Sequence, residues 1–145
     1  MRDKLILFIE KYGLYLFSII LLLLLMFSST SQTIHQVRSE LSAYPIDSTH
    51  IEIILAQSVL ESGWYQSTWT HTHSNIFGLT KSKNGTRVPQ VFDNWKICVR
   101  SYYNQIYKKY LKTKGDYYSF LIKLPYAMDK GYIPKLKNLI PQLPK

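Results

Sequence analysis

Cysteine is almost missing from this chain: Cys98 is the only one in 145 residues, so no internal disulfide can form and the fold must rest on its core. Acidic residues are also scarce, with 9 Asp and Glu against 18 Lys and Arg. The shortage is uneven, because Lys81 to Phe92 contains no carboxylate at all. Six glycines and six prolines are too few for a collagen-like or disordered chain, and a hydrophobic content of 46% argues for a packed domain. There are no internal repeats, and no low-complexity tract beyond one leucine-rich run. The S-x-x-K and G-x-S-x-G nucleophile motifs are absent as well, which argues against acyl transfer.

What is present begins with an apolar N-terminus. From Tyr12 to Phe27, YGLYLFSIILLLLLMF carries no charge, and LILFI precedes Glu10 and Lys11. Crossing a bilayer takes roughly 20 apolar residues, so the run is adequate with tilt or with its flanks. A cleaved signal peptide is the rival reading, with SSTS at Ser28 to Ser31 as small residues after the run. The long charged n-region and the lack of an A-x-A pattern favour an uncleaved anchor. Arg2, Lys4 and Lys11 precede the run and the next positive charge is Arg38, which predicts a cytoplasmic N-terminus and an exported domain. The expected organisation is a cytoplasmic stretch 1–11, an anchor and linker 12–32, and a functional domain 33–145. The expected location is the inner or cytoplasmic membrane, single-pass, with the domain on the periplasmic or extracellular side.

After Phe27 there are 15 Lys and Arg against 7 Asp and Glu. Such a surface suits an anionic polymer or lipid headgroups. The basic residues are dispersed, and the topology keeps them from the genome, so nucleic acid is not an expected partner. His71 and His73 would share a face if THTHSN were a strand, but no third or fourth ligand lies nearby, so neither a metal nor another cofactor is expected.

The domain reads as mainly helical, α+β in class. Ile34, Val37 and Leu41 recur at helical spacing. Thr49 to Ser62 is apolar almost all round, with Thr49 and Glu52 at capping-box spacing and Gly63 at its end, which predicts a central helix. Asn84-Gly85 between β-compatible flanks predicts a small hairpin, with Pro89 on an edge strand. Trp95, Cys98, Val99, Tyr102, Tyr103, Ile106, Tyr107 and Tyr110 form one face of a helix that ends by Gly115. A short helix is expected over about 116–123, and a last one from near Pro134.

On the central helix, Gln57, Ser58 and Glu61 fall on one narrow stripe, away from Leu55, Ala56, Val59 and Leu60. That stripe is expected to face a cleft. A carboxyl group held protonated near neutral pH by an apolar wall, for which Ile54, Trp64 and Phe77 are candidates, can protonate a leaving oxygen. From the stripe alone, a helix-terminal carboxylate paired to a lysine is an equal reading.

The segment LAQSVLESGWYQSTWTHTHSNIFGLT resembles the catalytic segment of the family 73 glycoside hydrolases, the N-acetylglucosaminidases of the flagellar rod-associated and autolysin type, in which AQ-x-x-LESGWG-x-S precedes an NNLFGIK-type turn. FDNWKICVRSYYNQI is similar to that family's F-x-x-(x)-S-V-x-x-Y helix, and YAMDKGYIPKL to its YATDPNYAxKL segment. The resemblance runs from about Ala43 to Ile140. It implies a lysozyme-like domain with a small β-hairpin lobe that hydrolyses the peptidoglycan glycan strand after N-acetylglucosamine. By position it implies Glu61 as general acid, Tyr126 as a cleft tyrosine important for activity, Asn75, Phe77 and Gly78 as the turn into the β lobe, and Gln57 and Trp64 around the acid. Where the family has a glycine after the tryptophan this chain has Tyr65, which can narrow a subsite or stack on a sugar; its first turn asparagine is Ser74 here.

A second carboxylate is harder to find. Inverting glycosidases hold a base about 6.5–9.5 Å from the acid, retaining ones a nucleophile at about 5–5.5 Å. Glu52 lies nine residues away along the helix, about 13 Å, on the opposite face. Asp93 is the first candidate and Asp129 the second, with the substrate's N-acetyl group or a water held by Tyr126 as substitutes. The expected function is a membrane-anchored peptidoglycan hydrolase, possible partners including an envelope-spanning machine. The alternatives are a lytic transglycosylase that needs Glu61 alone and a catalytically weakened wall-binding scaffold.

Overall fold

The computed structural model describes residues 2–113, 115–124 and 129–145, without the side chains of residues 2–11 and Phe27. Two compact units result, 1–32 and 33–145. The first is the N-terminal part of helix α1 (Arg2–Ser42), where Leu14, Phe17 and Ile19 to Met26 are all exposed. Tyr12–Ser42 is long and apolar enough to cross a membrane, by length and composition.

The second unit is mainly helical, with one small antiparallel sheet. Its core takes Ile34, Val37 and Leu41 from the end of α1 and Ile51, Ile53, Ile54, Leu55, Ala56 and Val59 from α2 (Ser48–Ser62). Apolar side chains all round α2 leave it no wet face, so it lies at the domain's centre. The expected Thr49 capping box is replaced. Asp47 is the N-cap and accepts from the Thr49 N–H at 2.8 Å, while Glu52 turns away to a two-pronged bond with Arg38 at 2.8 and 3.1 Å. At the other end Gly63 stops the helix in the left-handed conformation, with Trp64 N–H returning to the Val59 carbonyl at 2.9 Å.

Trp64 and Tyr65 continue in that conformation, at φ 59° and 61°. A side chain there costs about 1 kcal/mol. At Tyr65 the cost is offset by burial and by a hydroxyl contact with Ser58 at 2.5 Å. The THTH part of THTHSN is helical rather than extended: α3 (Thr68–His73) is capped by Ser67, whose hydroxyl accepts from Thr70 N–H at 3.0 Å. Residues two apart on a helix diverge by about 200°, so His71 and His73 do not share a face. His73 instead stacks on Trp69 at 3.6 Å.

Strands β1 (Thr80–Lys83) and β2 (Thr86–Pro89) pair with Lys83 opposite Thr86, so Asn84-Gly85 is the two-residue loop. Both loop residues have positive φ, 50° and 77°, as a primed hairpin turn requires. Helix α4 (Trp95–Tyr102) runs through a π-helical turn (Tyr103–Tyr107) into α5 (Lys108–Tyr110), one stretch with a local widening that the sequence periodicity did not disclose. Helix α6 (Tyr117–Ile122) is capped by Asp116, and α7 (Tyr132–Leu139) starts two residues before Pro134. Gln90 and Gln105 exchange amide bonds at 3.0 and 3.1 Å, tying the hairpin to the π-helical turn.

Candidate active site

Glu61 occupies the last turn of α2, beside the left-handed stop at Gly63. Its side chain is half-buried, and two elements distant in sequence close on it. From α7, the Tyr132 hydroxyl donates to Oε1 at 3.1 Å. From the turn before β1, Gly78 approaches so closely that a β-carbon there would stand 3.0 Å from Oε2. With φ +60° as well, the position disfavours a side chain on two independent grounds. Burial raises the carboxyl pKa above its ordinary value, and the Tyr132 bond opposes this in part. Among the described residues no cation sits against it, so the lysine-paired reading of Glu61 does not apply.

The turn itself is built by Asn75, which is 1% exposed. Its amide nitrogen donates to the Leu79 and Gln90 carbonyls, both at 2.9 Å, and its oxygen accepts from Leu79 N–H at 2.9 Å. One side chain thus fixes both ends of the hairpin. Phe77 is buried and packs on Tyr102, ring centroids 4.2 Å apart. Together they set Gly78 against the acid.

The expectation of a cleft-facing stripe requires correction. Gln57 and Ser58 are sealed, at 1% and 0% exposure, and only Glu61 on that stripe reaches partial exposure. The competing demand is the hydrogen bonding of buried tyrosines: Gln57 donates to the Tyr132 hydroxyl at 3.1 Å and accepts from the Tyr102 hydroxyl at 2.6 Å. Tyr65 is likewise inside, 8% exposed, with its hydroxyl on Ser58 rather than presented to a sugar. Gln57, Asn75 and Phe77 therefore support the site from within, Tyr65 serves the core through Ser58, and Trp64 and Gly78 keep partial exposure.

Asp93 is exposed in the segment between β2 and α4, and no described contact or electrostatic influence links it to Glu61. Asp129 is paired to Lys135 at 2.6 Å and accepts from Gly131 N–H at 2.8 Å. Those two bonds hold its carboxyl below the usual range. Tyr126 lies outside the described residues. Tyr132 is the site residue that the motifs passed over; its signal was the second tyrosine of YAMDKGYIPKL, with Leu136 buried one turn later. No group of three or more His, Cys, Asp or Glu among the described residues is arranged to hold a metal ion.

A half-buried, protonatable carboxyl at the edge of a core helix, with a close-packed glycine turn on one oxygen and a hydroxyl on the other, is equipped to deliver a proton to a bound oxygen atom. Comparison with curated proteins and with solved structures finds no significant match. The sequence pattern of one family, described as mannosyl-glycoprotein endo-beta-N-acetylglucosaminidase, matches residues 36–145, which takes in α2, the hairpin and α7. The acid, the turn beneath it and the tyrosine above it all fall within that match, and the chain belongs to the glucosaminidase family of glycoside hydrolases.

Proposed function

We propose that the protein is a membrane-anchored peptidoglycan hydrolase that cuts the glycan backbone after N-acetylglucosamine, with Glu61 as general acid in a lysozyme-like domain, residues 33–145. The observation that carries this reading is the setting of Glu61: burial without a cationic partner, which keeps the proton on at pH values where an ordinary glutamate has lost it. As the glycosidic bond stretches, the leaving oxygen takes that proton and positive charge develops on the sugar ring. Trp64 and Gly78, which keep partial exposure, are the residues available to meet the sugars, and Tyr126 keeps the role that the resemblance of YAMDKGYIPKL implies, a cleft tyrosine important for activity.

For the role opposite Glu61, the described surroundings of the carboxyl favour no second carboxylate. A carboxylate at the distance an inverting base or a retaining nucleophile needs would act on a poorly solvated acid, and Asp93 exerts no such influence. The substrate's own N-acetyl group is then the better candidate for the role opposite Glu61, and Asp93→Asn is expected to keep activity within about threefold of wild type, against the loss of about 10²-fold or more expected for a required base. Turnover of soluble peptidoglycan fragments by the purified variant measures this.

The anchor reading rests on Leu14 to Met26, apolar and exposed on all sides of its helix, a surface that only lipid or protein can cover. A lytic transglycosylase is the second reading, favoured by the acid-free hairpin. Product analysis separates the two: a reducing N-acetylglucosamine end supports hydrolysis, and an anhydromuramic end supports the transglycosylase.

A further inference from the structure

The buried hydroxyls behind Glu61 form a chain with a fixed direction. Gln57 sets that direction, because its amide nitrogen can only donate and its oxygen can only accept. Tyr102 gives its proton to Gln57 Oε1 at 2.6 Å, which leaves the Tyr102 oxygen to accept from the Tyr117 hydroxyl, also 2.6 Å away. On the other side Gln57 Nε2 donates to the Tyr132 oxygen at 3.1 Å, and the Tyr132 proton goes to Glu61 Oε1 at 3.1 Å. All four supporting side chains are at most 5% exposed, so water does not compete for these bonds.

We propose that Tyr132 is a positioning residue for the acid: held by Gln57 and Tyr102, it keeps Glu61 Oε1 as an acceptor and leaves Oε2, the oxygen against Gly78, to carry the proton that is transferred. The inference rests on the reading of Glu61 as general acid. A carboxylic acid accepts at its carbonyl oxygen and donates from the other, so a fixed donor on one oxygen decides which is which. Gly78 brings no side chain to Oε2, where a β-carbon would stand 3.0 Å away and crowd an incoming glycosidic oxygen.

Among the described residues the groups facing Glu61 are few. Tyr132 is the titratable one from α7; Ile76 to Leu79 brings none; on α2 its stripe neighbours Gln57 and Ser58 are neutral; and Tyr126 lies outside the described residues. Removing the Tyr132 hydroxyl takes away a donor that favours the carboxylate and leaves the burial that disfavours it. Glu61 then keeps its proton to higher pH, and the alkaline limb of activity moves up.

The test is the pH dependence of kcat/KM for the full-length protein in detergent on soluble peptidoglycan fragments. Tyr132→Phe is expected to shift the alkaline limb upward by about 0.5–1 pH unit and to lower kcat roughly three- to tenfold with KM within about twofold. Tyr102→Phe, two links further back through Gln57, shifts the limb the same way by less, and it decides the matter if Tyr132→Phe does not fold. Tyr107→Phe removes an equally buried hydroxyl that serves Asp47 N–H and His50 instead, and leaves the limb in place. An unmoved limb in folded Tyr132→Phe and Tyr102→Phe, or an equal shift in Tyr107→Phe, overturns the proposal. Wild-type turnover by Glu61→Gln would instead strike at the acid assignment itself.

Discussion

Seven Asp and Glu residues follow the apolar N-terminal run, and five have structural work. Asp47 and Asp116 cap helices, Glu52 binds Arg38, Asp129 binds Lys135, and Glu40 lies 3.8 Å from Lys96. Glu61 has no such duty, and its burial is a standing cost whenever it is charged. Its folded-state pKa lies above the unfolded value, so between the two the folded state binds more protons and stability falls as pH rises. Glu61→Gln is therefore expected to lower glycosidase activity by about 10²–10⁴-fold and to raise the midpoint of thermal unfolding above that folded pKa, with the gain fading in acid, where the carboxyl is protonated in both states. Calorimetry across pH checks the second part. Gly78→Ala acts on the same contact from the other side: the methyl group meets Oε2 at 3.0 Å in a backbone conformation unfavourable to it. A stability loss of about 1–2 kcal/mol in urea unfolding and a larger proportional loss of activity are expected.

At the scale of elements, the hairpin is mostly exposed and contributes little core, so it depends on what ties it down. Asn75 does so with three bonds to backbone groups. Asn75→Ala strands those groups and is expected to cost about 2–3 kcal/mol by chemical denaturation, with activity falling because Gly78 is in the same turn. What was legible here follows the strength of local chemistry. Asn84-Gly85 marked the hairpin turn and Gly63 the end of α2, because a positive φ leaves few alternatives. The start of α2 was misplaced because two polar residues two positions apart can each cap a helix, and Glu52 is taken by a residue 14 positions away. Helix α3 left no sequence signal because one tryptophan among Thr and His makes no hydrophobic period.

For the whole molecule, the apolar run, the central helix and the order of the motifs were readable, and the family match over 36–145 agrees with the resemblance they suggested. What could not be read was the interior polar network. A stripe of Gln57, Ser58 and Glu61 looks the same whether it faces water or tyrosines, and only the packing of α7 and of α4 with its π-helical continuation tells them apart. The division at residue 32 sets a further expectation. The full chain is expected to sediment with membranes and resist carbonate extraction, whereas residues 33–145 are expected to stay soluble with thermal unfolding unchanged within about 2 °C. The central claim is that Glu61 cleaves the glycan strand hydrolytically, and mass analysis of purified peptidoglycan after incubation with the full-length protein or with Glu61→Gln tests it most directly. New reducing N-acetylglucosamine ends are expected with wild type and none with Glu61→Gln; anhydromuramic ends, or equal digestion by both proteins, rule hydrolysis by Glu61 out.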